Sequence, residues 1–313
     1  MKDQFGRTIR YLRLSITEAC NLRCTYCTAE ENLQRGAELS APEIEAIAQE
    51  AVSLGLTKIR ITGGEPLMRE DVLDICTRIS QIPGVDELCM TTNGLLLADF
   101  ARELRDTGVD RVNVSLDSLN PIRFQTLTRG GDLNQVLRGI EAARKAGLQV
   151  KLNVVLMAGV NDTEIAGFVA LTRDWGIQVR FIERMPIGAG ASLSPEQYLS
   201  ADAVLKACPD LVPDLSYEKT IATVYRLPGA KAPVGLIRPM SQNFCTRCNR
   251  VRVTADGKLK PCLHTEEEIS LRGLSGEALQ ITLRDGITGK PSRHHMDANT
   301  KSESTRGMHQ IGG

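Results

Sequence analysis

The feature that most constrains this chain is a repeated alternation. Short runs rich in β-branched residues at 11–17, 58–62, 87–92, 111–116, 150–157 and 179–183 are separated by stretches of helical periodicity. The first helix has its start written out. Ser40-Ala41-Pro42-Glu43 is a capping box, and Ile44, Ile47, Ala48, Ala51 and Val52 then share one face until Gly55 stops the helix. Further helices are expected over 71–81, 98–107, 133–146, 162–175 and 201–207, with Gly108, Gly147 and Gly176 each just past an end. Six strand-then-helix units in series require parallel strands joined by right-handed crossovers. A doubly wound open sheet and an incomplete (β/α) barrel both satisfy that requirement, and periodicity does not separate them.

The residues that do not look like packing residues all fall where strands end. A cysteine loop follows the first strand, Gly63-Gly64-Glu65-Pro66 the second, and Thr91-Thr92-Asn93-Gly94 closes the third. Ser115-Leu116-Asp117 ends the fourth, Lys151 and Asn153 lie in the fifth, and Glu183-Arg184-Met185 ends the sixth. Both candidate folds build their active sites at that edge. After about Gly188 the alternation stops, and Pro and Gly become frequent through Leu236. A boundary is therefore expected there, giving regions 1–187 and 188–313.

Of nine cysteines, six form two spaced groups: Cys20, Cys24 and Cys27, then Cys245, Cys248 and Cys262. Cys76, Cys89 and Cys208 are isolated and read as small core residues. Three thiols within one short loop are too tight for a set of disulfides. They suit three irons of a cubane cluster, which leaves the fourth iron open. A structural zinc site is the alternative, but it normally uses four ligands in paired spacings, and Tyr26 is a poor fourth. The second group is also compatible with a zinc ribbon, with His264 as a candidate fourth ligand. Asp256-Gly257 between alternating runs is a hairpin signal that folds Cys262 back towards Cys248.

The loop from Cys20 to Cys27, with Tyr26 before the last thiol, resembles the cluster loop of the radical S-adenosylmethionine (SAM) superfamily. The second group with Arg250-Val251-Arg252 resembles the auxiliary cluster of the MoaA family, the GTP 3′,8-cyclases of molybdenum cofactor biosynthesis. The likeness runs from Tyr11-Leu12-Arg13-Leu14-Ser15-Ile16-Thr17 through Arg60-Ile61-Thr62-Gly63-Gly64-Glu65-Pro66 and Asn113 to Leu119. It continues with Arg180-Phe181-Ile182-Glu183 and reaches the terminal Gly312-Gly313.

That resemblance implies an incomplete (β/α)6 TIM-like barrel with a C-terminal auxiliary cluster region. It implies a lyase carrying two [4Fe-4S] clusters and SAM, in which a 5′-deoxyadenosyl radical starts the cyclisation of GTP. It implies SAM contacts at Tyr26, Gly64, Ser115 and Met185, and GTP contacts at Arg13, Arg60, Thr91, Lys151 and Arg250-Val251-Arg252. Arg250, Arg252, Gly312 and Gly313 are implied as catalytic, the two glycines as a tail that threads into the site. The partners implied are GTP, an unidentified electron donor and the next enzyme of molybdopterin synthesis, for a monomer or homodimer.

The chemistry agrees with these assignments. A triphosphate needs several converging cations, and arginine forks match phosphate oxygens. Arg13 and Arg60 alternate with apolar neighbours inside strands, so they point to the opposite face, where unpaired charge is costly without an anionic ligand. One departure is Thr28-Ala29-Glu30, where the family often shows Met-Pro after the last thiol of the loop.

Composition excludes other classes. Lys+Arg and Asp+Glu are both 38, so no global basic field recruits nucleic acid or membrane. Aromatics at 4% are too few for a base-stacking surface. No apolar run approaches the roughly 20 residues of a membrane helix, and Met1 to Arg7 lacks an apolar signal core. The expectation is a cytoplasmic protein whose thiols ligate metal.

Overall fold

The computed structural model describes residues 1–27, 37–217, 221–294, 296 and 302–312. Its first half follows the expected alternation: β1 (Tyr11–Ser15), α1 (Ala41–Ser53), β2 (Lys58–Thr62), α2 (Val72–Ser80), β3 (Glu87–Thr92), α3 (Leu97–Asp106) and β4 (Arg111–Ser115). Two helices, α4 (Pro121–Thr128) and α5 (Leu133–Lys145), lead to β5 (Gln149–Leu156), and α6 (Ile165–Asp174) leads to β6 (Gln178–Glu183). Beyond these come α7 (Asp202–Ala207), β7 (Val212–Pro213), β8 (Thr223–Arg226), β9 (Val234–Ile237), β10 (Arg250–Val253), β11 (Lys258–Lys260), β12 (Ile269–Ser270) and α8 (Gly276–Thr288).

Local chemistry explains the boundaries. Ser40 and Glu43 form the expected capping box on α1, whose Ile44, Ile47, Ala48 and Ala51 are buried. α4 is a helix that periodicity did not announce. Its eight residues are started by Asn120, whose side chain accepts from the Arg123 N–H, and by Pro121 at the first turn. The helix expected over 162–175 instead begins as a 3₁₀ turn at Asp162–Glu164 before α6. No helix among the described residues is long and apolar enough to cross a membrane.

Among the described residues one sheet carries all the named strands, in the order β12-β11-β10-β1-β2-β3-β4-β5-β6-β9-β8-β7. The six parallel strands β1 to β6 are the incomplete barrel. It gains a parallel strand at each side, β10 beside β1 and β9 beside β6. The C-terminal region therefore extends the barrel sheet at both edges, through short strands hidden in a Pro- and Gly-rich stretch. β10 and β11 form the expected hairpin, with Gly257 at φ 82° in its turn.

Alternation along each strand sorts side chains by face. Leu12, Leu14, Ile59, Ile61, Leu88, Met90, Val112 and Val114 join the apolar core under the helices. The other face carries charge in two register rows. Arg252, Arg13, Arg60, Cys89 and Arg111 are successive neighbours across five strands. Two residues back along the strands, Arg250, Tyr11, Lys58 and Glu87 form the second row. Cys89 thus lies in the charged row, where its sulfur accepts from Arg111 Nη2 at 3.1 Å, and Cys208 is half-buried; of the isolated cysteines Cys76 fits the core reading best.

One buried guanidinium fastens the C-terminal region to the barrel's start. Arg7 pairs with Asp3 and donates to the carbonyls of Cys245, Lys290, Pro291 and Ser292 at 2.7–3.3 Å. Arg7→Ala strands these acceptors and the Asp3 carboxylate together. It is expected to lower stability by about 3 kcal/mol, read as a lower unfolding midpoint of the metal-loaded protein.

Candidate active site

A cavity of about 320 Å³ lies in the barrel lumen towards the N-terminal ends of the strands, where Tyr11, Lys58, Arg111 and Arg250 each open a strand, and not at the C-terminal edge that the sequence singled out. Its wall includes Arg13, Lys58, Arg60, Arg111, Arg180, Arg250, Arg252 and Lys290, and no acidic side chain lines it among the described residues. Burial lowers the Arg180 pKa to about 10, with Arg60 and Arg111 adding to the effect. Arg252 falls to about 10 for the same first reason, with Arg250 beside it. Lys151 is pulled down to about 7 by burial and then by Arg180, Arg111 and Lys58. Burial opposes the charge of Arg60 as well, yet Tyr11 and Cys89 beside it leave its pKa above the usual value. Several buried polar atoms here, including Nε of Arg111, Arg180 and Arg250 and Oδ1 of Asn113 and Asn153, have no hydrogen-bond partner among the described residues. Buried polar atoms are normally satisfied. The arrangement fits a ligand with several anionic oxygens.

The expected phosphate ligands divide into groups. Arg13, Arg60, Arg250 and Arg252 line the cavity. Thr91 stands behind Arg60, accepting from its Nη1 at 3.4 Å. Lys151 sits in the next register row, between Asn113 and Gln178. Val251 turns its side chain into the apolar core, as strand alternation requires, so only its backbone is available. Sequence reasoning passed over Lys58, Arg111, Arg180 and Lys290. For the first three the signal was present, since each lies on a strand already known to carry an inward charge or a site residue. Lys290 follows α8 and reaches the site only through the fold, where its Nζ donates to the Pro261 carbonyl.

The first cysteine loop is shaped by its own contacts. The N–H groups of Arg23 and Thr25 donate to the carbonyls of Thr128 and Leu127 at the end of α4. Cys20 Sγ accepts from the Leu22 N–H at 3.4 Å, and Asn93 Nδ2 stands 4.0 Å from it. Burial raises the Cys24 thiol well above its usual range, and Cys27, Asp117 and Cys20 add to the shift, so the three thiols share one field. Among the described residues no three His, Cys, Asp or Glu side chains stand close enough for a single metal ion; three thiols on one loop, with N–H donors at the Cys20 sulfur, suit instead the wider span of a cluster held by three thiolates.

Gly64 would place a Cβ 2.3 Å from the Ala19 carbonyl oxygen, and Gly63 one 2.7 Å from that of Thr17. The glycine pair thus lets its loop lie against the cysteine loop, with the Gly64 and Glu65 N–H groups donating to Thr17 and Ala19. Buried Glu65 accepts from the Leu67 and Asn93 N–H groups and the Thr92 hydroxyl at 2.7–3.1 Å, and burial raises its pKa to about 7. Tyr26 donates to Asp117 at 2.6 Å, and Asp117 in turn accepts from the Val155 N–H at 2.8 Å. Ser115 pairs in register with Asn153, and Met185 lines the cavity. Thr28, Ala29 and Glu30 lie outside the described residues.

Cys245, Cys248 and Cys262 all line the cavity. Burial raises the Cys248 thiol, but Lys290, Arg250 and Arg7 outweigh it and bring the thiol below its ordinary range. Cationic surroundings of that kind favour thiolate ligands. His264 lines the cavity beside them, its ring centroid 4.7 Å from that of His294.

The tail reaches this site. The Gly312 carbonyl accepts from Arg13 Nη2 at 3.1 Å and from Arg252 Nη1, which also holds the Ile311 carbonyl. Gly312 has φ 71°, and a Cβ there would meet Thr62 Oγ1 at 2.1 Å. Gly313 lies outside the described residues. Arg306 anchors the approach through Glu268 and Asp256 at 2.7–2.8 Å and Glu18 at 3.6 Å.

With this geometry in view, comparison with known proteins is direct. Residues 14–172 match the Radical SAM superfamily, and residues 177–296 match Molybdenum Cofactor Synthesis C. The chain is 46% identical to the GTP 3′,8-cyclase of Alkaliphilus metalliredigens, covering 100% of both chains. It is 47% identical to that of Peptoclostridium acidaminophilum, covering 99% of this chain and 98% of the relative. In fold it is similar to Streptococcus suis SuiB bound to S-adenosylmethionine, with a TM-score of 0.65 at 13% identity over 90% of this chain and 68% of that one. The chain belongs to the radical SAM superfamily and, within it, to the GTP 3′,8-cyclase family.

Proposed function

We propose that the cation wall holds the triphosphate of GTP between the two cysteine groups, so that ribose faces the first and guanine the second. The observation that carries this reading is the cavity lined by eight cations and by Cys245, Cys248 and Cys262, with buried guanidinium nitrogens lacking partners. The enzyme is a radical SAM GTP 3′,8-cyclase, a lyase that opens molybdenum cofactor biosynthesis. The [4Fe-4S] clusters and SAM, when bound, would supply the 5′-deoxyadenosyl radical chemistry that takes the ribose 3′ hydrogen and joins this carbon to guanine C8; one electron to cleave the sulfonium, and a second electron with a proton to quench the cyclised radical, would balance the reaction to 3′,8-cyclo-7,8-dihydro-GTP, 5′-deoxyadenosine and methionine.

The chain's own residues account for placement. Cys20, Cys24 and Cys27 would hold the first cluster, and Cys245, Cys248 and Cys262 the second. Tyr26, the backbone at Gly64, Ser115 and Met185 surround the place for SAM, and the Tyr26–Asp117 bond sets the loop's rim. Arg13, Arg60, Lys151, Arg250 and Arg252 neutralise the phosphates, joined by Lys58 and Arg180. Gly312, held by Arg13 and Arg252, places the C-terminal tail beside the substrate. The reaction needs an external one-electron donor and a following enzyme that takes the cyclised nucleotide onward. Every residue invoked comes from one chain, so a monomer or a homodimer can carry it. Thiolate ligation suits a reducing compartment such as the cytoplasm.

Anaerobic reconstitution is expected to load about eight irons per chain for two four-iron clusters. Incubation with SAM, dithionite and GTP should then yield 5′-deoxyadenosine together with the cyclised nucleotide. Zinc without labile sulfide, or 5′-deoxyadenosine formation indifferent to GTP with no cyclised product, would contradict the assignment.

GTP binding should take up protons. Lys151 has a pKa of about 7 in the free site, where it faces Arg180, Arg111 and Lys58, with Glu87 the nearby carboxylate. A bound triphosphate raises that value, so affinity falls as pH rises above 7, by up to about tenfold per unit. Calorimetry in buffers of different ionisation enthalpy measures the uptake, and Lys151→Met should reduce it.

Gly312→Ala collides with Thr62 and leaves the left-handed backbone region to a residue that disfavours it. Iron content should be kept while product formation drops at least about tenfold; unchanged turnover would show that the tail carbonyl is not needed in this position.

A further inference from the structure

Tyr11 is buried, at 8% exposure, yet it belongs to no part of the apolar core cluster. It opens β1 with its ring in the cavity wall, and sheet register sets Arg250 of β10 on one side and Lys58 of β2 on the other. Three cations approach the ring, two from β2 and one from β10. Lys58 Nζ lies 5.4 Å from the ring centroid, Arg250 Cζ 5.7 Å and Arg60 Cζ 5.8 Å. The hydroxyl accepts a hydrogen bond from Arg60 Nε.

Glu87 pairs with Lys58 and with Arg111 from the side away from the ring, but Arg60 and Arg250 have no such carboxylate and repel each other and Lys58 across the ring, where water screens them poorly. An aliphatic side chain in the centre would supply nothing to offset that. An aromatic face attracts each cation through its quadrupole, and a phenolic oxygen adds a directional acceptor. The electrostatic surroundings agree, because burial raises the phenol's pKa while Arg60, Arg13 and Arg250 together bring it down to about 7. The Arg250 Nε has no hydrogen-bond partner among the described residues, so the ring face is a named contact of this guanidinium.

We propose that Tyr11 is a positioning residue for the triphosphate, its ring and hydroxyl gathering Lys58, Arg60 and Arg250 into the convergent set that the phosphates enter. The inference rests on the reading that the cation wall receives GTP. It makes Tyr11 specific for phosphate charge and not for the nucleoside: the ring acts through the cations, and it organises them before substrate arrives.

Anaerobic equilibrium binding of GTP and of guanosine to the reconstituted wild type, Tyr11→Leu and Tyr11→Phe tests this, with iron content and SAM binding measured alongside. Tyr11→Leu should weaken GTP by about thirtyfold, the combined loss of three buried cation–π contacts and one hydrogen bond, and guanosine by no more than about twofold. Tyr11→Phe keeps the ring and should weaken GTP by only about threefold. In turnover, KM for GTP should rise by more than kcat falls. GTP affinity equal to wild type in Tyr11→Leu, or equal losses for GTP and guanosine, would overturn the role. Should Tyr11→Leu fail to take up its iron, Tyr11→Phe decides, and unchanged GTP affinity there overturns it. A wild type that binds guanosine as tightly as GTP would instead remove the phosphate reading itself.

Discussion

The repulsion among buried cations is the constraint around which the rest of the molecule is arranged. Arg252, Arg13 and Arg60 are side by side in register, with Arg111 two strands further on beyond Cys89, and Arg250 and Lys58 lie in the adjacent row. Glu87 pairs with Lys58 and Arg111, but one carboxylate leaves the rest of these buried like charges at a cost in free energy that an anionic ligand would return. The opposite face of the same strands offsets it. Leu12, Leu14, Ile59, Ile61, Val112 and Val114 are fully buried under the helices, and apolar burial contributes about 25 cal/mol per Å². One strand thus does two jobs by alternation. Its apolar residues hold the sheet in register, and the register sets the spacing of the charges.

The C-terminal region is tied to the same wall. β10 pairs directly with β1, so Arg250 and Arg252 enter the two charged rows as if they belonged to the barrel. The hairpin then returns the chain to Cys262, and Arg7 holds the segment that follows α8. The tail comes last, anchored by Arg306 between Asp256 of the hairpin turn and Glu268. Its Gly307 backbone lies so close to Gly188 that a Cβ on Gly188 would stand 2.8 Å from the Gly307 Cα. Gly312 then delivers a neutral carbonyl to two arginines. A carbonyl offers an acceptor without a full charge, so it orders Arg13 and Arg252 while leaving the wall strongly cationic.

Much of the site was legible along the chain, for definite reasons. Arg13 and Arg60 were assigned to the interior because each interrupts an apolar alternation, and the structure places both there. Ser40 and Glu43 marked α1, and Asp256-Gly257 marked the hairpin, since both signals depend on a few neighbouring residues. What was missed depended on partners distant in sequence. Lys58 and Arg180 lie in runs that the sequence marks only as strands, and register sets them beside Tyr11 and Asn153. Gly64 stood out through the resemblance as a SAM contact, and the structure shows the glycine pair making room for the cysteine loop. Cys89 read as a core residue, and it stands in the charged row beside Arg111 of the neighbouring strand.

By itself the sequence determined what local chemistry can determine. The two thiol spacings marked the candidate metal ligands, the β–α alternation set parallel strands, and the capping and turn residues set where elements begin and end. Tertiary structure decided what needs contacts between remote segments. It joined β10 to β1 and β9 to β6, so the apparent second region became two edges of one sheet. It also decided which charges converge and which aromatic ring stands among them. The reason is that strand register, unlike a cap or a turn, is a property of two strands at once, and no single stretch of chain carries it.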